Sequence, residues 1–202
     1  ASKRQFERVL AIDPMLPNGL TWRGWVYAFD GDTANARRVL ERALDLGIGN
    51  AHLPLSLVER AAGNDAKAIA EMELGLAAFG AGLPVETPGL VAAGVFGDDA
   101  ARRHAVAHVE GLIGSYAGTV SGPLAFSLIM LGEHARALDV IQSGVTTSSI
   151  WQLALWGPSG RDARRLPQFA EFARRVGFVA VWDKYGPPDG CRKTTGGDYV
   201  CD

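Results

Sequence analysis

Apolar and small residues recur at steps of three and four along most of the chain, and the clearest run follows Pro17. Leu20, Gly24, Tyr27 and Ala28 form one stripe, and Ala36, Leu40 and Ala43 form a second. Stripes of that period predict two amphipathic helices, each burying one side. Between them Asp30-Gly31-Asp32 supplies the turn, because glycine accepts a left-handed backbone and Asp32 or Thr33 can cap the second helix. Small residues at Gly24 and Ala36 suit a close antiparallel crossing, where larger side chains would push the backbones apart.

The same turn recurs. Gly63-Asn64-Asp65, Gly97-Asp98-Asp99 and Gly132-Glu133-His134 follow it at intervals of 32, 34 and 35 residues, each leading into an alanine-rich amphipathic stretch. A period of that length belongs to a repeated two-helix unit. Phe6, Val9, Leu10 and Ala11-Ile12-Asp13-Pro14 predict the second helix of an earlier unit, so the chain is expected to start inside a repeat of a longer protein. Ala125, Leu128, Gly132, Ala137 and Ile141 predict a fourth unit from Ser121 to about Thr146. The stretch from Gly80 to Gly94 carries Pro84 and Pro88, so the third unit is expected to have a short first helix and irregular geometry.

This arrangement resembles the tetratricopeptide repeat, with Gly24, Tyr27, Ala36, Leu40 and Ala43 in its register. Arg23, where an apolar residue is usual, and Glu59, where an aromatic is expected, depart from it. The resemblance implies an all-α, right-handed α-solenoid of about four helical hairpins over residues 1–150, with a C-terminal cap over 151–202. In its register the groove-facing positions are Asn18, Thr21, Trp25, Phe29, Leu57, Arg60, Val91, Phe126 and Met130. Such a groove would take an extended peptide or an amphipathic helix, with Arg60 pairing an acidic group; stripes at helical spacing are more often core, so any single one of these side chains is expected to pack against the next helix. Trp22 and Trp25, three residues apart, lie about 60° apart around a helix and cannot both occupy the centre of one buried stripe.

After Trp151 the repeat pattern stops. Residues 166–178 predict an amphipathic helix with Pro167 in its first turn, Phe169, Phe172 and Val176 as its buried stripe, and Gly177 as its stop. Residues 179–185 predict a short second helix, ended by Gly186-Pro187-Pro188-Asp189-Gly190. Leu166-Pro167-Gln168-Phe169, Gly177-Phe178, Val181-Trp182 and Pro188-Asp189-Gly190-Cys191 resemble the endings of bacterial tetratricopeptide proteins, among them membrane-anchored winged-helix transcription regulators and cyclase-linked sensors. This likeness implies a signalling role and points to the periplasmic part of an anchored protein over a cytoplasmic one.

The composition is that of a folded chain. Of 202 residues 48% are hydrophobic and 21% charged, enough for a continuous core. Twenty basic against 22 acidic residues argue against nucleic-acid binding and a polybasic membrane surface. The apolar stretch from Gly111 to Gly132 is broken by glycines and Pro123, so no membrane insertion is expected. The first eight residues lack a hydrophobic targeting core. Cys191 and Cys201 are a candidate disulfide in an oxidising compartment and would stay reduced in a cytoplasm.

Catalytic motifs are missing: no phosphate-binding loop, dinucleotide fingerprint or nucleophile elbow occurs in the sequence. His104 and His108, four apart, would share a helix face, but no third ligand accompanies them and no metal or other cofactor is assigned. The expected function is therefore a non-catalytic protein–protein interaction or sensory module of a bacterial regulatory protein, binding a partner segment in the concave groove. A small-ligand sensor and a self-assembling homo-oligomer are the alternatives.

Overall fold

The computed structural model describes residues 2–79, 82–115, 119–120, 122–143, 145–146 and 150–202. Gly80 and Ser121, from which the irregular third unit and the fourth unit were expected to start, lie outside the described residues. The fold is all-α: about 74% of the described residues are helical, and the few strands among them are two or three residues long. Two compact units divide it, residues 1–108 and residues 109–202. The division expected at residue 150 falls inside the second unit.

The first unit contains α1 (Ser2–Ile12), α2 (Pro17–Phe29), α3 (Thr33–Asp45), a 3₁₀ turn (Gly49–Ala51), α4 (His52–Ala61), α5 (Asp65–Phe79), α6 (Thr87–Phe96) and the start of α7 (Asp99–Ser115). From α1 to α6 each helix packs on the next, and α4 also packs on α2. One core runs through Leu10, Leu20, Tyr27, Ala36, Leu40, Ala43, Leu55 and Val58. Close approach explains the small residues. A β-carbon at Gly24 would lie 2.2 Å from Leu40 Cδ2, and one at Gly75 would lie 2.6 Å from the main-chain nitrogen of Leu53.

The second unit continues with β1 (Thr119–Val120), α8 (Gly122–Met130), α9 (His134–Ser143), β2 (Val145–Thr146), α10 (Trp151–Trp156), a 3₁₀ turn (Pro158–Gly160), α11 (Arg161–Arg165), α12 (Phe169–Arg175), α13 (Phe178–Tyr185), β3 (Cys191–Lys193) and β4 (Tyr199–Cys201). The pair β1–β2 is parallel, and β3–β4 is an antiparallel hairpin in which Cys191 faces Cys201. These two cysteines are joined by a disulfide. The α8 side chains Leu124, Phe126 and Leu128 are fully buried with Leu138 of α9 and Leu155 of α10.

Three hairpin turns share one hydrogen-bond pattern. The Asp32 amide donates to Tyr27 O, the Asn64 amide to Glu59 O and the Glu133 amide to Leu128 O, each at 2.9 Å. One residue earlier, the Gly31, Gly63 and Gly132 amides donate to Ala28, Arg60 and Ile129 O at 3.0 to 3.2 Å. Both bonds need a left-handed residue after the helix, and the three glycines have φ of 75°, 78° and 83°. Five residues beyond each glycine stands a fully buried alanine, Ala36, Ala68 and Ala137; seven before it stand Gly24, Ser56 and Ala125, all buried.

The turn at Gly97 differs. Its φ and ψ are −91° and −153°, its amide closes an ordinary helical bond to Ala93 O at 2.8 Å, and Asp98 caps α7 through the Ala101 amide at 2.8 Å. The C-terminal helix expected over 166–178 is shorter, because Leu166 is extended and α12 starts at Phe169. Phe169 and Phe172 are buried as expected, Val176 is half-buried at the helix end, and Gly177, at φ 84°, separates α12 from α13.

Candidate functional site

The expected groove positions separate by burial. Trp25, Val91 and Phe126 expose at most 3% of their surface and Thr21 only 6%, so these four face neighbouring helices instead of solvent. Thr21 spends its hydroxyl on Pro17 O at 3.2 Å, and Trp25 packs on Phe29 with ring centres 5.3 Å apart. Asn18 is exposed, while Phe29, Leu57 and Met130 are half-buried. Arg60 is exposed and paired with Asp65. Phe126 and Met130 belong to the second unit, the other seven to the first.

An open cleft exists elsewhere in the first unit, among α1, α2 and α3. It has a volume of about 490 Å³; Leu10, Leu20 and Val39 form its apolar floor, and Arg23, Arg38, Arg42, Glu41 and Asp45 supply its charge. Pro17 starts α2 at a fixed angle, with Pro14 in the α1–α2 turn on the cleft wall. Arg23 Nε and Nη2 both donate to Tyr27 Oη, at 3.0 and 2.7 Å, and the guanidinium lies 5.2 Å from the ring centre. Arg38 donates to Asn35 Oδ1 at 2.9 Å. Arg42 reaches Met15 Sδ at 2.6 Å. Three guanidinium groups against two carboxylates make the cleft cationic.

Its surroundings are apolar and open to solvent. Ile12 is 88% exposed, Met15 and Trp22 are each 45% exposed, and Val9 and Leu16 are also exposed. Trp22 stacks on Phe6 with ring centres 6.5 Å apart and planes 7° from parallel. Scattered exposed apolar residues are ordinary, whereas here five fall within the fourteen residues from Val9 to Trp22, the segment that also supplies Leu10, Pro14 and Leu20 to the cleft. The sequence carried a signal for this site in Arg23, which departs from the apolar register position, and in the three-residue spacing of Trp22 and Trp25, which cannot both be buried at the centre of one stripe.

A second polar cluster, around Glu59, does structural work. Glu59 has a side chain only 1% exposed, yet it accepts from Arg37 of α3, from Lys67 Nζ of α5 at 2.6 Å and from Asn64 Nδ2 at 2.9 Å. The Arg37 hydrogen bond above all, with those of Lys67 and Asn64, outweighs desolvation and holds its pKa down to about 2. Such a carboxylate stays ionised at neutral pH, fully occupied by donors, and is no general base. It ties α3, α4 and α5 together, and His52 Nδ1 to Glu71 Oε2 at 2.6 Å adds a second α4–α5 link.

His104 is exposed, and His108 shares a hydrogen bond with Thr87 Oγ1 at 2.9 Å. Among the described residues no group of three or more His, Cys, Asp or Glu side chains could hold a metal ion, and no helix is long and apolar enough to cross a membrane. The first unit thus combines a cleft with an apolar floor and a cationic rim with exposed aromatic and aliphatic side chains in the same stretch of chain. Compared with family models, with curated proteins and with solved structures, the chain matches none.

Proposed function

We propose that the chain is a non-catalytic interaction module of tetratricopeptide type, built from helical hairpins, that captures a segment of a partner protein. The observation that carries this reading is the arginine-rimmed cleft of about 490 Å³ beside exposed Ile12, Met15 and Trp22. The shared turn pattern at Gly31, Gly63 and Gly132, with buried alanines at one fixed offset, supports the repeat assignment. A preformed surface of this kind costs a partner segment less ordering than mutual folding would. The rim selects acidic groups, and the floor selects an aliphatic or aromatic anchor, so the fitting partner is an amphipathic acidic segment.

A photoreactive side chain placed at Met15 or Trp22 in the cells of origin tests this. The expected result is one discrete crosslinked protein from both positions and none from Leu74, an equally exposed residue of α5. Arg38→Glu with Arg42→Glu, both on an exposed helix surface, should reduce the adduct at least about tenfold through charge repulsion while the thermal midpoint holds. Equal labelling from Leu74, or an adduct indifferent to the double charge reversal, would sink the reading.

A further inference from the structure

A pocket in the second unit has the makings of an anion site. It measures about 220 Å³ and lies between α11, the start of α12 and strand β4, with Arg164 and Arg165 on one side and Leu166, Phe169, Tyr199 and Val200 around them. Its walls are held from behind. The Cys191–Cys201 disulfide fastens β4 to β3, the Asp202 amide donates to Gly190 O at 2.8 Å, and Tyr199 Oη donates to Asp183 Oδ1 at 2.9 Å. Tyr199 also packs edge-on against Trp182, with ring centres 5.0 Å apart.

Arg164 is the central group. Its Nη1 donates to Leu155 O at 2.5 Å and Gly157 O at 3.1 Å, its Nη2 donates to Asp202 O at 3.0 Å, and the guanidinium lies 5.7 Å from the ring centre of Trp156. All three acceptors are main-chain oxygens. A guanidinium carries five N–H donors, so the Nε hydrogen and one Nη2 hydrogen have no acceptor among the described residues. Arg161 and Arg165 flank it on the same short helix, and neither forms an ion pair there, with Asp162 or with any other described carboxylate. Burial, and then the charges of Arg161 and Arg165, lower the Arg164 pKa.

We propose that this pocket binds the carboxylate of a small apolar acid. Two free donors on one planar guanidinium match the two oxygens of a carboxylate, and Arg165 adds a second cation. The remaining walls are hydrocarbon and aromatic, which suits a short alkyl chain and offers a fully hydrated phosphate few further donors. The space equals that of roughly seven liquid waters at about 30 Å³ each, enough for an acid of four to six carbons.

Titration of the full, oxidised chain with pentanoate, followed by amide chemical shifts, tests the proposal. The expected result is saturable shifts confined to residues 164–170 and 199–201, with pentanol and inorganic phosphate at least about tenfold weaker. Arg164 also supports the main chain, so its removal could unfold the unit. Arg165→Gln is the cleaner variant, because Arg165 is exposed and unpaired; it should weaken pentanoate about fivefold or more with an unchanged thermal midpoint. Absence of saturable shifts at these residues, equal binding of pentanol or phosphate, or indifference to Arg165→Gln would each overturn it.

Discussion

Glu59 departs from the register expected for it and is nonetheless buried, with donors from three residues. The repeat register calls for an aromatic there, and the structure instead buries a carboxylate with three donors from Arg37, Lys67 and Asn64. A buried pair that loses one partner costs about 3–5 kcal/mol, because the remaining charge stays poorly solvated. Arg37 and Lys67 are 31% and 53% exposed and can turn partly to water, so Glu59→Gln should cost less, about 2–3 kcal/mol in denaturant unfolding. The pH dependence has a definite sign. A carboxylate held at about 2 when folded and near 4.5 when unfolded stabilises fully above pH 4.5 and loses that contribution as pH falls toward 2. Unfolding measured between pH 5 and pH 2 should therefore flatten in Glu59→Gln; an unchanged slope would mean that other carboxylates carry the acid sensitivity.

At the scale of the hairpin, the glycines fall into two physical classes, and their substitutions separate them. Gly63 has φ of 78° with open space where a β-carbon would stand, so Gly63→Ala suffers only backbone strain, about 1–2 kcal/mol. Gly75 is a contact glycine: its β-carbon would meet the Leu53 main-chain nitrogen at 2.6 Å, and backbone cannot rotate aside. Gly75→Ala should force α4 and α5 apart and cost more than Gly63→Ala, about 3 kcal/mol. Thermal unfolding of both variants decides the ranking, and equal losses would show that the crossing relaxes freely. The turns at Gly31, Gly63 and Gly132 were legible because their chemistry is local: a left-handed glycine followed by a capping residue. Gly97-Asp98-Asp99 carries the same letters yet closes differently, since α6 ends with a regular bond from Gly97 to Ala93 O. Burial was harder to read, because helical spacing marks a stripe without saying whether a helix or water covers it. Trp25 and Phe126 fall at groove positions of the register, and they are core, as the helical spacing favoured for any single one of them. The short elements α10, α11 and β3–β4 had no periodic signal long enough to find; tertiary contacts among Trp151, Trp156, Phe172 and Trp182 set them.

Taken as a whole molecule, the chain stabilises its two units by different means. Residues 1–108 rely on helix crossings and the Glu59 cluster. In residues 109–202 the last helices are too short to be stable alone, six residues in α10, five in α11 and seven in α12. What orders them is an aromatic chain from Trp151 through Phe172, Phe178 and Trp182 to Tyr199, whose last member sits on a strand closed by the Cys191–Cys201 disulfide. Around it, Asp183 joins α13 to the hairpin through Lys193 Nζ at 2.5 Å and Tyr199 Oη, and these bonds hold its pKa below the ordinary carboxylate value. Opening a ten-residue loop returns about 2–3 kcal/mol of chain entropy to the unfolded state. The double variant Cys191→Ser, Cys201→Ser should therefore lose that amount, and hydrogen exchange should place the loss. Amides of α12, α13, β3 and β4 are expected to exchange faster, because Tyr199 and the Arg164 acceptor at Asp202 depend on the closed hairpin. Those of α2 to α5 are expected to keep their protection, because their apolar core and the Glu59 cluster lie within residues 1–108. Equal acceleration in α2 to α5 would show that both units unfold as one cooperative body, and the compact division at residue 108 would then be geometric and not energetic.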